Sequence, residues 1–225
     1  IIKKFKLIPR FEKIVIKSKL LKLFNINLDI FIRTLFVTFS FLWVTYLGST
    51  LGEDYLAVNT ILMQFIILAA FFLDAYAFST EGVVGFTIGR KNKNSFLSVV
   101  KNSIQISFIT ALIVSVVYIF FFKQIINIIT DIELLRFISY KHFLWIIIIP
   151  PIASFCYQLD GIFIGASQTK EMRNAMIISV TSFIFISIYL TKYFGNHGLW
   201  FSLLCFMILR SLTLKFYFNK ILRKF

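Results

Sequence analysis

Carboxylates are scarce in this chain: 10 Asp and Glu stand against 24 Lys and Arg, and charged residues of both signs make up only 15% of 225 positions. A soluble domain carries about 25% charged residues. With 59% hydrophobic residues and a mean hydropathy of +0.85, too little polar surface remains to cover a water-facing shell. Cysteine is confined to Cys156 and Cys205, both inside apolar stretches, so neither a disulfide framework nor a thiolate metal centre has support. His142 and His197 lack any companion at ligand spacing. Proline is rare, and two of the three prolines adjoin at Pro150 and Pro151. The first residue is Ile rather than Met, and the chain reads as part of a longer protein.

Phenylalanine, by contrast, occurs 29 times, and the apolar mass arrives in long blocks. A block of about 18–20 residues spans a hydrocarbon core of about 30 Å. Six such spans are predicted, over residues 30–51, 55–80, 95–122, 142–166, 174–191 and 197–218. Continuous apolar runs exclude barrel strands, whose faces alternate, so the spans are helices. Residues 1–24 form a basic amphipathic connector, interrupted by Pro9 and suited to anionic headgroups; residues 25–225 form the six-helix transmembrane unit. Asp29 suits the first turn of the first span. Residues 123–141 read as an amphipathic helix on the outer surface, dividing the spans three and three.

A net charge of +14 in a soluble chain would suggest nucleic acid. Its placement excludes that partner and points to lipid. With the N-terminus inside, segments 1–29, 90–101, 170–173 and 215–225 hold eighteen Lys and Arg, and the outer segments hold four. That bias places both termini in the cytoplasm of a multi-pass protein of the cell (inner) membrane.

Against this background two acids stand out. Asp74 lies in ILMQFIILAAFFLDAYAF (61–78), and Asp160 in WIIIIPPIASFCYQLDGIFIGA (145–166). A charge at that depth costs at least about 2.5–3.5 kcal/mol on insertion scales, so such residues face a bundle interior or a wet cavity and mark substrate or ion pathways. Glu81, seven residues after Asp74, shares its helical face. These three are the ion-coupling candidates. Asn59, Gln64, Tyr157 and Arg210 are candidate cavity contacts, with Tyr157, Asp160 and Ser167 on one face by spacing. Pro150 and Pro151 remove two backbone donors and form a candidate hinge. Gly85–Gly89 and Gly161–Gly165 are GxxxG spacings that permit close helix approach. Arg33 is expected to snorkel to the inner interface, and Arg210, which is deeper, to pair with a buried acid.

Three stretches now carry a resemblance. Residues 73–89 (LDAYAFSTEGVVGFTIG), 159–176 (LDGIFIGASQTKEMRNAM) and 195–200 (GNHGLW), the last followed by Arg210, are similar to segments of multidrug and toxic compound extrusion (MATE) transporters of the DinF-like branch. Ala75 stands where that pattern has Gly, and Ser167 where it has Thr. The resemblance spans residues 25–218. It implies an all-α integral membrane fold, here one lobe (helices seven to twelve) of a twelve-helix antiporter, with the N-terminal lobe as partner. It also implies export of organic cations or drug-like small molecules in exchange for H+ or Na+, with no cofactor, and a proton site on the first helix of the other lobe. Two competing readings are a lipid or lipid-linked-saccharide flippase, which needs a more cationic cavity, and an integral-membrane transferase, for which no nucleophile–base or metal constellation is present.

Overall fold

The computed structural model describes residues 17–225, so most of the 1–24 connector lies outside the described residues. It consists of α1 (Lys17–Thr50), α2 (Glu53–Gly89), α3 (Lys93–Ile129), α4 (Glu133–Lys141), α5 (Phe143–Gly165) and α6 (Thr169–Leu222). Five are long and apolar enough to cross a membrane. The sixth crossing comes from within α6, whose helix breaks at Gly195 (φ 57, ψ −139). The two arms, α6a (169–194) and α6b (196–222), fold back on one another. Glu171 pairs with Lys220, Ser179 meets Thr213, and the rings of Phe183 and Phe206 lie 5.1 Å apart, so partner numbers fall as the others rise. Positive φ is what the reversal requires, and glycine supplies it without a Cβ penalty.

The elements begin and end for local reasons. Glu53 and Asp54 lie in the first turn of α2, where carboxylates complement the exposed backbone N–H groups. The Asn92 side chain caps α3 by accepting from Ser95 N at 2.9 Å. Because α3 runs to Ile129, the predicted outer amphipathic helix over 123–141 is shortened to the nine residues of α4. The first span also starts earlier than predicted: α1 begins at Lys17, and Asp29 sits inside it rather than at its N-terminus.

Helix α5 is the centre of the bundle. It packs against α2, α3 and α6, while α1 lies mainly against α6. Both prolines sit inside α5, and the helix is continuous through them. Pro151 has no N–H for the Ile147 carbonyl four residues back, and Ser115 Oγ of α3 donates to that carbonyl at 2.8 Å. A neighbouring helix thus satisfies the acceptor that the proline leaves open. The core has two parts. One surrounds Phe65, Tyr118, Phe122, Trp200 and Phe206; the other, nearer the α1 start and α6 end, surrounds Val84, Phe96, Phe163 and Leu214. Outward-facing Phe71, Phe120, Phe185 and Phe216 are at least two-thirds exposed, as suits surface that meets lipid tails rather than water.

Helices α5 and α2 approach each other closely. A Cβ added at Gly161 would fall on the Ala77 carbonyl, and one at Gly165 on the Glu81 carbonyl, one helical turn further on. The GxxxG on α5 is therefore a packing seam. The one on α2 is not: Gly89 faces open space, and Gly85 has room for a methyl group.

Candidate functional site

The α2–α5 seam fixes where the two membrane acids lie. Asp160 immediately precedes Gly161, and Asp74 lies one turn before Ala77, so close approach of the backbones sets both acids on adjoining ridges. Asp160 is only 4% exposed. Its Oδ2 accepts from Arg210 Nη2 of α6b at 2.6 Å and from Arg33 Nη2 of α1, so one carboxylate oxygen binds two guanidinium groups. Arg210, 2% exposed, sits between the rings of Phe206 and Tyr157, with its Nη1 3.6 Å from Met207 Sδ. The predicted pairing of Arg210 with a buried acid is realised with Asp160. Arg33 does not snorkel: the carboxylate holds it in the bundle. Asp160 Oδ1 and the Nε atoms of both arginines have no partner among the described residues.

Two cations on one anion leave a residual positive charge in a medium where charge is poorly screened. Asp74 offsets it. This half-buried carboxylate accepts no hydrogen bond among the described residues, yet it lies within electrostatic range of Arg33, Asp160 and Arg210. The four groups together are neutral when both acids are ionised. Asp160 is held by two donors, and Asp74 by none; the two acids that look alike in sequence differ in availability.

Other sequence candidates are dispersed. Glu81 is half-buried on α2 and joins no ion pair among the described residues. Gln64 is exposed. Asn59, 2% exposed, is drawn into a separate network: its Nδ2 donates to Asn196 Oδ1 at 2.7 Å, and its Oδ1 accepts from Trp200 Nε1 at 2.9 Å. That network ties the α6 turn to α2 and does not reach Asp160. Ser167 lies beyond the end of α5 with φ 51, so it leaves the face it was expected to share with Tyr157 and Asp160. Missing from the sequence reading were Gln158 and Thr80, whose side chains meet at 2.9 Å across the α2–α5 seam. The available signal was a glutamine inside an otherwise apolar run.

The two histidines also come together, at the opposite pole from the termini. Their rings stack at 4.3 Å. His142 lies between α4 and α5; its Nδ1 donates to the Ile138 carbonyl at 2.8 Å, and its Nε2 is buried without a partner among the described residues. His197 Nδ1 accepts from Trp145 Nε1 at 3.1 Å. Burial, with His197 and Lys141 nearby, holds the His142 pKa below 6.5. The fold therefore holds neutral imidazole. As pH falls below about 6.5 the unfolded chain takes up this proton before the folded one does, so stability declines until folded His142 itself protonates. Thermal unfolding measured between about pH 7 and about pH 5 should show this acid limb, and His142→Gln should flatten it. An unchanged limb in the variant would remove His142 as its cause.

An all-helical bundle with acids on facing helices and an outward apolar belt defines an integral membrane protein. The MatE family model matches residues 30–191. The chain belongs to the MATE family, whose members are transporters and not enzymes. It is 35% identical over 193 residues to DNA damage-inducible protein F of Escherichia coli, covering 86% of this chain and 42% of that protein. It is 25% identical over 181 residues to Protein DETOXIFICATION 43 of Arabidopsis thaliana, covering 80% of this chain and 34% of that protein. Its fold matches a mutant of the Vibrio cholerae MATE transporter VcmN with a TM-score of 0.85 at 17% identity, covering 96% of this chain and 49% of that one. The chain thus spans between about a third and a half of the length of these proteins.

Proposed function

We propose that this chain is one lobe of a secondary antiporter of the inner membrane that exports organic cations or other drug-like compounds in exchange for H+ or Na+. The second lobe is supplied by the part of the relatives' length that this chain does not span, and both termini of the lobe face the cytoplasm. One observation carries the reading: Asp74 is a carboxylate with no ion-pair partner among the described residues, within electrostatic range of Arg33 and Arg210 and on a helix that contacts the bundle centre.

Asp74 serves as the exchangeable carboxylate. When ionised it balances Arg33, Asp160 and Arg210. When it binds a proton or a cation, that balance is lost, and the populations of inward- and outward-open states shift by the difference in interaction energy. Asp160, fixed by both arginines, holds the charge against which Asp74 works, while Pro150 and Pro151 act as the hinge. Both arginines are committed to Asp160, which leaves neither available to a phosphate and weighs against a flippase.

In proteoliposomes containing the full-length transporter, Asp74→Asn should reduce export driven by a proton or sodium gradient at least about tenfold. It should destabilise the fold less than Asp160→Asn does, because both arginines keep their contacts with Asp160. Imposing each gradient separately identifies the ion. Undiminished gradient-driven export in the variant would rule out the assigned role.

A further inference from the structure

At the cation-rich pole, the start of α1 and the turn between α5 and α6 border an open surface cavity of about 540 Å3, lined in part by Lys22, Asn25, Asp29, Ser167, Lys170 and Glu171. Both acids are already engaged. Asp29 accepts from Arg173 at 2.6 Å and from Thr169 at 3.1 Å, and Glu171 accepts from Lys220 at 3.0 Å. Lys224 donates to the Ala166 carbonyl at the end of α5. Lys22 and Lys170 are exposed and form no ion pair among the described residues. Five cations therefore surround two acids, at a place where the first backbone N–H groups of α6 also point outward.

The positive charge is concentrated enough to be felt within the cluster. Burial, with Lys22 close by, holds the Lys224 pKa below 10.5 although Glu171 acts in the opposite direction. An anion placed between these groups relieves that repulsion. The wall of the cavity changes character over a short distance: Leu21 lines it, and Leu20 and Phe24 on the adjoining turn are 48% and 64% exposed. A free phosphate has no use for exposed leucine and phenylalanine. A lipid uses both surfaces, its headgroup meeting lysine and its acyl chains meeting the apolar side chains.

We propose that this cavity binds the phosphate headgroup of an anionic phospholipid, held by Lys22, Lys170 and the N-terminus of α6. The site is separate from the Asp74–Asp160 cluster and independent of the coupling ion. It is also more specific than general adhesion of basic residues to a charged membrane surface, because the contribution is assigned to two lysines.

The test uses the full-length protein in neutral detergent, with retained lipid read by native mass spectrometry after addition of POPG or POPC. Wild type should retain POPG in preference to POPC, with affinity falling roughly fivefold for each of Lys22→Gln and Lys170→Gln. Lys93→Gln with Lys101→Gln, on α3 at the same pole, should leave retention unchanged. Excess inorganic phosphate should not displace the lipid. Equal retention of POPG and POPC, an equal loss in the α3 pair, or displacement by phosphate would each overturn the assignment. All four lysines are exposed, so the substitutions leave the fold intact.

Discussion

Asp160→Asn should be the most damaging single substitution of a charged residue in this lobe, lowering stability by about 3–5 kcal/mol in a detergent-solubilised unfolding measurement. Asparagine has nearly the same shape, so packing is preserved and the loss is electrostatic. The wild-type carboxylate carries two guanidinium groups on one oxygen. Without its charge, Arg210, 2% exposed and surrounded by Phe206, Tyr157 and Met207, is left as a buried cation with no anion in contact. Desolvating an unpaired ion is far more costly than forgoing a pair altogether.

The partners should rank differently. Arg33→Gln leaves Asp160 paired with Arg210, and the Arg33 side chain is 19% exposed, so its removal should cost less. Arg210→Met replaces the buried cation with an apolar chain and leaves Arg33 on Asp160; it too should be milder than Asp160→Asn. Because all three share one site, the effects will not add: combining Asp160→Asn with Arg210→Met should recover part of the loss seen with Asp160→Asn alone. If the asparagine variant unfolds at the wild-type temperature, or the double variant is worse than the sum of the singles, the two-arginine arrangement is refuted.

Much of the architecture was legible because membrane insertion restricts the options. Apolar blocks of bilayer length must be helices, so the six crossings and the reversal near Gly195 follow from hydropathy and one glycine-rich loop. The candidacy of Asp74 and Asp160 was equally visible, since a charge in an apolar run is conspicuous. The difference in their surroundings was not. Arg33 lies 127 positions before Asp160, and nothing in its local sequence distinguishes snorkelling from pairing; only the lateral packing of α1 against α6 decides it. The partners of Asn59 were hidden for the same reason, because Asn196 and Trp200 lie more than 130 positions away. The GxxxG spacings illustrate a related limit. Spacing identifies a face on which a helix can approach closely, and tertiary geometry determines whether one does.

That distinction leads to a prediction in which one chemical change has opposite effects at neighbouring glycines. Gly82 and Gly89 lie in α2 with no atom within 4 Å of an added Cβ. Alanine at either should be neutral or stabilising by up to about 1 kcal/mol, because glycine loses more backbone freedom on entering a helix. Gly161→Ala and Gly165→Ala place the same methyl group against backbone. At Gly161 the new carbon would lie 3.0 Å from Ala77 C and Cα, with the carbonyl oxygen closer still; at Gly165 the same geometry recurs against Glu81. A side chain could rotate away, but a helical backbone can yield only by moving the whole of α2. Each substitution should therefore cost about 3 kcal/mol, the upper end of ordinary overpacking. The displacement also moves Asp74 relative to Asp160, so transport should fall even in the fraction that remains folded. Unfolding temperatures and initial export rates of the four alanine variants provide the comparison. If Gly161→Ala and Gly165→Ala are as stable and as active as Gly82→Ala and Gly89→Ala, α2 and α5 do not meet backbone to backbone, and the positioning of the two acids needs another explanation.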